Sequence, residues 1–409
     1  MVRQFKDSGI EWIGKIPELW NTCQLKRLLM FQNGQDYKHV ESDCGYPVYG
    51  SGGVFMHASQ YLYDGEAILF GRKGTIDRPL YVNEKFWTVD TMYYAIPKSQ
   101  AIGRYLYYLA TLLPYTKYQT STALPSMTQS LLGNMVVALP YIQDQQHIAE
   151  YLDEKCGEID SLIALQEQMI EKLKIYKQSI ITETVTKGLD TNAKLVPSGI
   201  DWIGEVPEGW KVSVLRRFAN IILGKMLQPN AKSENDSLEQ YICAKDVHFE
   251  GIDTSDLKKM FFNKTEKETY QVQKGDLLVV EGGAGAAGSC VLKTDLPNTY
   301  IQNSIMIVRP KQGIDIRYIH YFEFSLAKKG YVDYVCNKAT IPHFTKDKLS
   351  SMPIPLPPFS EQQTIASYLD EKCADIDSLI VLKLEKIEKL KDYKKSVVYE
   401  AVTGKTIID

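Results

Sequence analysis

The sequence predicts an α/β (α+β) chain in which two mixed α/β domains are joined by two long helices that form an antiparallel coiled coil. Three observations support this fold class. An internal repeat has similar ends and different middles. The repeated C-terminal segments carry apolar residues at coiled-coil spacing. The divergent middles alternate short β-type runs with aromatic-rich helical runs.

The internal repeat consists of two pairs of matched segments. Residues 7–20 and 197–210 share nine of 14 positions at an offset of 190, and residues 145–163 and 362–380 share 15 of 19 at an offset of 217. Between these segments the halves differ, and the second is 27 residues longer. Repeats of this kind indicate duplicated structural units. A shared scaffold carrying two different surfaces explains the pattern, and simple drift after duplication is the alternative.

The repeated C-terminal segments are predicted to be long helices. Their apolar residues form two rows, Ile159, Leu173 and Ile180 beside Leu162, Met169 and Tyr176 in the first segment, and Ile376, Leu390 and Val397 beside Leu379 and Tyr393 in the second. Spacings of three and four residues over several heptads predict a coiled coil. A helix over residues 143–186 would be roughly 65 Å long. Antiparallel pairing is the simplest packing, and separate packing of each helix on its own domain is the alternative.

These patterns divide the chain into four predicted parts. Residues 1–140 and 189–357 form the two mixed α/β domains. Residues 141–188 contain the first long helix, which acts as a spacer between the domains, and residues 358–409 contain the second long helix. Within the domains, the predicted elements are strands at residues 67–70, 92–96, 276–280 and 304–308, and helices at residues 104–112 and 317–324. Glycine-rich turns connect them.

Composition and charge narrow the class of protein. The 409 residues are 44% apolar and 24% charged, and no run of about 18–20 apolar residues predicts a membrane span. Seven scattered cysteines predict reduced thiols and a cytoplasmic protein, with no metal site. The net charge of −3 disfavours nucleic-acid binding when taken alone. However, the negative charge is concentrated in the two helical segments, and both domains are slightly basic.

No catalytic or cofactor motif is evident. Gly283, Gly285 and Gly288 match a nucleotide-binding spacing after a predicted strand, but residues 289–298 lack the helical period that such a site requires. A glycine-rich hairpin or a DNA-facing loop is the better interpretation. The sequence has neither a phosphate-binding loop nor the Asn-Pro-Pro-Tyr/Phe motif of amino-methyltransferases. We therefore expect no catalysis, metal or cofactor in this chain.

The remaining candidates are DNA contacts. Arg and Lys bind phosphates or guanine edges, and Asn and Gln can bind adenine. The polar residues on predicted turns that fit this role are Arg72, Lys73, Arg78, Lys117, Gln119, Lys225, Asn337, Lys338, His343 and Lys346. Taken singly, each is more commonly a solvated surface residue. The tryptophans Trp12, Trp20, Trp202 and Trp210 are interpreted as core anchors of the repeated scaffold rather than base-stacking platforms.

The repeated motifs resemble those of the specificity subunits of type I restriction–modification enzymes. They are Ser-Gly-Ile-x-Trp-Ile-Gly-x-(Ile/Val)-Pro-x-x-Trp at the start of each half and Gln-Gln-x-Ile-Ala-x-Tyr-Leu-Asp before each long helix. The resemblance implies that each domain is a target-recognition domain for one half of a bipartite double-stranded DNA site. It also implies that the helices set the spacing and dock methyltransferase subunits. S-adenosylmethionine would then belong to those partners, and ATP and Mg²⁺ to restriction/translocase subunits.

Two alternatives remain at this point. One is a specificity subunit of a methylation-only system or an orphan subunit that exchanges lobes with another. The other is a protein-binding scaffold, which would show almost no salt-dependent DNA binding. The family has no fixed base-reading motif, so none of the ten candidate residues gains a role from the resemblance.

Overall fold

The computed structural model describes residues 4–119, 125–249, 251–283, 285–336 and 343–408. It divides into two compact units, one of Met1–Gln168 with Lys383–Asp409 and the other of Met169–Leu382. We call them unit 1 and unit 2. Each contains one mixed α/β domain, called lobe 1 (residues 4–141) or lobe 2 (residues 188–358), and a part of both long helices.

Lobe 1 is built around a seven-stranded mixed sheet. The strands of the lobe are β1 Phe5–Asp7, β2 Lys15–Pro17, β3 Asn21–Gln24, β4 Leu29–Asn33, β5 Glu41–Ser42, β6 Tyr46–Gly50, β7 Gly53–Ala58, β8 Tyr63–Gly71, β9 Leu80–Thr88, β10 Met92–Pro97 and β11 Val136–Leu139. The sheet order is β4-β10-β8-β9-β6-β7-β5, and β6 and β9 pair in parallel. The strands predicted at residues 67–70 and 92–96 are confirmed as β8 and β10, and residues 67–71 of β8 are all buried.

Short helices cover this sheet before the first long helix begins. The helices of this part of the chain are α1 Leu25–Leu28, α2 Gly103–Ala110, α3 Tyr115–Tyr118, α4 Gln129–Asn134 and α5 Ile142–Lys187. The amphipathic helix α2 buries Tyr105, Leu106 and Leu109 in the core of unit 1. The Thr128 side chain accepts a hydrogen bond from the backbone N–H of Leu131 and caps α4.

Lobe 2 splits its strands between smaller sheets. The strands are β12 Leu195–Pro197, β13 Glu205–Pro207, β14 Lys211–Val214, β15 Ala219–Leu223, β16 Ser237–Ile242, β17 Val247–His248, β18 Gly251–Ile252, β19 Lys258–Phe262, β20 Leu277–Val280, β21 Ser289–Val291, β22 Thr299–Ile301, β23 Ile305–Pro310 and β24 Pro353–Leu356. A four-stranded sheet has the order β15-β23-β20-β21, and a three-stranded sheet the order β19-β16-β22. The strands predicted at residues 276–280 and 304–308 are confirmed as β20 and β23.

The helices of lobe 2, followed by the second long helix, repeat the plan of the first half of the chain. They are α6 Lys264–Tyr270, α7 Ile316–Lys328, α8 Tyr331–Val335, α9 Lys346–Ser350 and α10 Phe359–Val402, together with 3₁₀ turns at Leu215–Arg217 and Ala244–Asp246. The helix predicted at residues 317–324 is confirmed as α7. None of the described helices combines the length and the apolar composition that crossing a bilayer requires.

The two long helices, α5 and α10, pair antiparallel within each unit. In unit 1, Lys394 Nζ lies 2.6 Å from an Asp160 carboxylate oxygen. In unit 2, Lys177 Nζ lies 2.7 Å from an Asp377 carboxylate oxygen. The two residue numbers of each pair add up to the same total, because one helix runs forward while the other runs backward. This constant sum is what an antiparallel pair in one register gives. The predicted antiparallel pairing is confirmed.

One predicted row of the helical seam is wrong by one position. Leu162, Met169 and Tyr176 are exposed, as are Leu379 and Tyr393. The buried or half-buried positions beside Ile159 and Ile376 are instead Ile163, Ile170 and Lys177 in α5 and Ile380, Ile387 and Lys394 in α10. The seam includes lysines whose ammonium groups are paired with carboxylates, so a search for apolar residues alone selects the neighbouring row.

The scaffold around the helices has the same contacts in both units. The Tyr105 hydroxyl donates to the carbonyl oxygens of Ala138 and Val402 in unit 1. The Tyr318 hydroxyl donates to the carbonyl oxygens of Pro355 and Val185 in unit 2. Each unit therefore joins its lobe to the end of one long helix by the same buried hydrogen bonds. The four tryptophans also belong to this scaffold, since they are buried in or packed against the two main cores.

Candidate nucleic-acid interface

At one end of the lobe 1 sheet, three neighbouring strands give way to loops. The Gly34 N–H, just after β4, donates to Met92 O at 3.0 Å, and the Arg72 N–H, just after β8, donates to Thr91 O at 2.8 Å. The loops after β4 and β8 and before β10 therefore meet at one edge. We call the group formed by residues 34–38, 71–78, 89–91 and 125–129 the loop edge of lobe 1.

The turn at residues 71–78 presents three of the predicted DNA contacts. Arg72, Lys73 and Arg78 all have exposed side chains. The turn is held in place because the Met127 N–H donates to Arg72 O at 3.0 Å and Lys73 forms a β-bridge with Ser126. The backbone thus displays two adjacent cations on a fixed loop, an arrangement suited to phosphates or guanine edges.

The other two candidates of lobe 1 lie on α3 and just after it. Lys117 Nζ lies 2.5 Å from Glu11 Oε2, and both side chains are exposed. This ion pair raises the pKa of Lys117, through the hydrogen bond first and the charge of Glu11 second. Gln119 is exposed, and its backbone N–H donates to Tyr115 O at 2.9 Å. Residues 120–124, which connect this helix to the loop edge, lie outside the described residues.

Lobe 2 has a loop edge in the same place. The Gly224 N–H, after β15, donates to Ile305 O at 3.0 Å, and the Glu281 N–H, after β20, donates to Ser304 O at 2.8 Å. The Phe344 N–H donates to Glu281 O, as the Met127 N–H does to Arg72 O in lobe 1. We call the group formed by residues 224–228, 281–283, 302–304 and 343–346 the loop edge of lobe 2.

The structure argues against Lys225 as a DNA contact. Only 7% of this residue is exposed, because its ammonium group points into the lobe. Lys225 Nζ lies 2.5 Å from Glu266 Oε2 and donates to Phe261 O at 2.8 Å. Burial alone raises the pKa of Glu266, but the hydrogen bonds from Lys225 and the Asn263 N–H outweigh it and lower that pKa. Lys225 is therefore part of a buried ion pair rather than a free surface cation.

The remaining candidates of lobe 2 are Asn337, Lys338, His343 and Lys346. His343 is exposed and forms a β-bridge with Gly282, where an added Cβ would lie 2.8 Å from His343 Nδ1. Glycine at position 282 therefore makes room for the imidazole. Lys346 is exposed at the first position of α9. Asn337 and Lys338 lie outside the described residues.

Comparison with known proteins identifies the family. The family described as "Type I restriction modification DNA specificity domain" matches residues 17–174 and 207–391. The chain belongs to this family. A putative type I restriction enzyme MjaX specificity subunit of Methanocaldococcus jannaschii is 25% identical, with 96% of this chain and 95% of that protein covered. The MjaVIII specificity subunit of the same organism is 26% identical, with 84% and 78% covered.

Solved structures share the fold of this type I specificity chain. One, titled as the structural basis of complex assembly and conformational transition of the type I R-M system, has a TM-score of 0.71 at 16% identity, covering 96% of this chain and 99% of that one. The HsdS subunit of Thermoanaerobacter tengcongensis has a TM-score of 0.51 at 16% identity, covering 96% and 98%. The predicted two-lobe architecture is confirmed, and the chain is a DNA sequence-specificity subunit.

The glycine-rich segment of this specificity chain leads into a strand rather than a helix. Strand β21 begins at Ser289 and pairs antiparallel with β20, Leu277 opposite Val291. The segment is thus a hairpin connection, as the missing helical period predicted. A nucleotide-binding turn would instead lead into a helix whose N-terminus faces the phosphates.

Sequence reasoning missed two exposed residues at the loop edge of lobe 2. Met226 and Leu227 are 75% and 56% exposed, directly after the buried Lys225. The sequence prediction rests on basic residues, histidine and side-chain amides as DNA contacts, and apolar residues fall outside it. The signal that could have found them is an apolar pair two residues after Gly224, in the loop that follows β15.

A buried polar cluster lies behind the β20–β21 hairpin. The Ser289 hydroxyl donates to the Glu323 carboxyl group and lies 3.1 Å from His320 Nδ1. Among the described residues, Glu323 Oε1 has no hydrogen-bond partner. Burial raises the pKa of Glu323 to about 8 and lowers that of His320 to about 3. At neutral pH both groups are therefore uncharged, which is consistent with a structural role in lobe 2.

Each unit also has a cavity between its short helix and the long helices. In unit 1 a cavity of about 610 Å³ is lined by Arg104, Tyr108 and Asp153. In unit 2 a cavity of about 400 Å³ is lined by the equivalent residues Arg317, Tyr321 and Asp370. The Tyr108 hydroxyl donates to Asp153 at 2.7 Å and the Tyr321 hydroxyl to Asp370 at 2.8 Å. The two cavities thus share an arginine, a tyrosine and an aspartate at equivalent positions, whereas the side chains of the loop edges differ.

Proposed function

We propose that this specificity chain recognises a bipartite double-stranded DNA site, with the loop edge of lobe 1 contacting one half and that of lobe 2 the other. The observation that carries the proposal is the contrast within the chain. The two loop edges have the same backbone hydrogen bonds but different side chains, as two readers of different sequences require. The candidate contacts are Arg72, Lys73, Arg78, Lys117, Gln119, His343 and Lys346.

The repeated scaffold supports a role for partner proteins. Because both units present an equivalent arginine, tyrosine and aspartate beside the long helices and the same buried hydrogen bonds at a helix end, we propose that they dock two identical methyltransferase subunits, to which restriction/translocase subunits join. S-adenosylmethionine would be held by the methyltransferase subunits, and ATP and Mg²⁺ by the restriction/translocase subunits. The chain itself would be non-catalytic and would act in the cytoplasm, where its DNA is.

Footprinting of the assembled complex tests the proposal. Hydroxyl-radical footprints on a DNA whose methylation site has been mapped should show two protected blocks separated by a less protected gap. Binding should weaken steeply with salt, since phosphate contacts release counterions. A single continuous block, or binding that does not respond to salt, would contradict a two-lobe reader and favour a protein scaffold.

A second test addresses catalysis. The purified chain incubated with S-adenosylmethionine, ATP, Mg²⁺ and mixed DNA should neither methylate nor cut, whereas addition of the partner subunits should restore both activities. Activity that remains with the chain through further purification would show that a catalytic centre had been missed.

A further inference from the structure

The usual relation between polarity and burial is reversed at residues 225–228. Lys225 and Gln228 are each 7% exposed, whereas Met226 and Leu227 between them are 75% and 56% exposed. Scattered exposed apolar residues are common, but a buried lysine and glutamine around an exposed apolar pair are not. This arrangement needs an explanation.

The backbone enforces this reversal from both sides. On one side, the Lys225 N–H donates to Ile301 O at 3.1 Å, and the Asn303 N–H donates to Lys225 O at 2.8 Å. On the other, the Gln228 side-chain amide donates to Asp236 Oδ2 at 3.0 Å, and the Gln228 backbone carbonyl accepts from the Phe261 N–H at 3.0 Å.

Burying a lysine costs free energy that its ion pair with Glu266 must offset. The two polar anchors therefore keep Met226 and Leu227 in solvent, and these side chains cannot turn inward without breaking them. Pro229 adds stiffness, because the residue before a proline is restricted to extended conformations.

The exposed pair lies where the partner is expected. Residues 224–228 belong to the loop edge of lobe 2, beside residues 302–304 and the turn after β20. The apolar group that B-form DNA presents at its base edges is the thymine C5-methyl group, in the major groove. A protein partner is a poorer fit. A stable protein interface buries about 800 Å² on each side. Two exposed side chains with polar residues on either side are too small a patch for such an interface.

We propose that Met226 and Leu227 are specificity-determining residues that contact thymine methyl groups in the half-site read by lobe 2. The proposal rests on the proposed function and adds the chemistry of one of its contacts. Under this proposal lobe 2 contacts base edges through apolar side chains, whereas lobe 1 presents the cations Arg72 and Lys73 at its loop edge.

Replacing thymine by uracil tests the proposal, because it removes the methyl group and leaves base pairing intact. The assembled methyltransferase complex is titrated with DNA carrying uracil at the thymines of the lobe 2 half-site, and, as a matched control, of the lobe 1 half-site. Wild-type affinity should fall about fourfold for each contacted methyl group in the lobe 2 half-site. Uracil in the lobe 1 half-site should give the same ratio in wild type and variant.

The matching protein variant is Met226→Ser with Leu227→Ser, which should fold because both side chains are exposed. It should bind thymine DNA more weakly than wild type and should no longer distinguish thymine from uracil in the lobe 2 half-site. The proposal is wrong if wild type ignores the substitution, if that half-site contains no thymine, or if the variant fails to assemble with its partners. Loss of all half-site specificity in the wild-type complex would instead refute the proposed function.

Discussion

The loop edges of the two lobes share a pattern of backbone hydrogen bonds and differ in the charge at one equivalent position. The Arg72 carbonyl in lobe 1 and the Glu281 carbonyl in lobe 2 each accept a hydrogen bond from the segment at the neighbouring turn, from Met127 and Phe344. The same position of the fold thus holds a cation in one lobe and an anion in the other. The comparison teaches that the scaffold fixes the path of the chain, while the side chains placed on it are free to set specificity.

In the scaffold, by contrast, buried side chains as well as backbone contacts are the same in both units. The buried Gln145 amide accepts from the Ile102 N–H at 2.9 Å and donates to Pro140 O at 3.1 Å. The buried Gln362 amide accepts from the Asp315 N–H at 3.0 Å and donates to Pro357 O at 2.9 Å. Each glutamine ties the start of a long helix to its lobe, and a change at either should have the same effect.

The largest expected effect comes from removing these glutamines. Gln145→Leu and Gln362→Leu each leave a backbone N–H and carbonyl unpaired in the interior, which should lower the free energy of unfolding by about 2–4 kcal/mol. Urea titration of the two variants measures this decrease in the free energy of unfolding. Equal decreases support a repeated scaffold, whereas a decrease in only one variant would break the equivalence of the two units.

A pH effect should be confined to lobe 2, because α2 of lobe 1 carries Tyr107 and Ala110 where α7 carries His320 and Glu323. The folded-state pKa of Glu323, raised to about 8, makes stability fall as pH rises from about 4.5 to 8. The pKa of His320, lowered to about 3, makes stability rise from about pH 3 to 6.5.

The two trends cancel between pH 4.5 and 6.5 and leave a net fall of about 2 kcal/mol from pH 6.5 to 8. Glu323→Gln should remove that fall and stabilise the protein at pH 8. The measurement is a series of denaturant titrations across this range, with Tyr107→Phe at the lobe 1 position equivalent to His320 as the control, in which the fall should persist. A fall that survives in Glu323→Gln would exclude this carboxyl group as its source.

A smaller effect is expected from the cations of lobe 1. Arg72→Ala with Lys73→Ala should weaken DNA binding by the assembled complex. The slope of log affinity against log salt should become shallower by about 0.9 for each phosphate that the variant no longer neutralises. Glu281→Lys at the equivalent position of lobe 2 should change the slope in the opposite direction. If neither slope changes, the loop edges do not face the DNA backbone.

The smallest effect should come from Lys117. Because Glu11 already neutralises it in an exposed ion pair, Lys117→Ala should leave the Tm unchanged. Its effect on the salt slope should also be smaller than that of Arg72→Ala with Lys73→Ala. A larger effect would show that the ion pair with Glu11 opens when DNA binds.

The parts of this structure that repeat were predictable from sequence, and the parts set by distant contacts were not. The matched segments led to the two-lobe plan and the antiparallel helices, and local β-type runs led to the strands β8, β10, β20 and β23. Lys225 was misassigned because its burial depends on Glu266, which lies 41 residues away in sequence. The helical seam was displaced by one position because Lys177 and Lys394 occupy it as ion-pair partners.

The most direct test of the account is an exchange of one lobe. Residues 21–139 are replaced by the corresponding lobe of another family member, and the methylome of a host carrying the chimera and its partners is sequenced. The account predicts that one half of the methylated site changes to the donor's sequence while the other half stays the same. A site in which both halves change, or neither does, would contradict the claim that each lobe reads its own half.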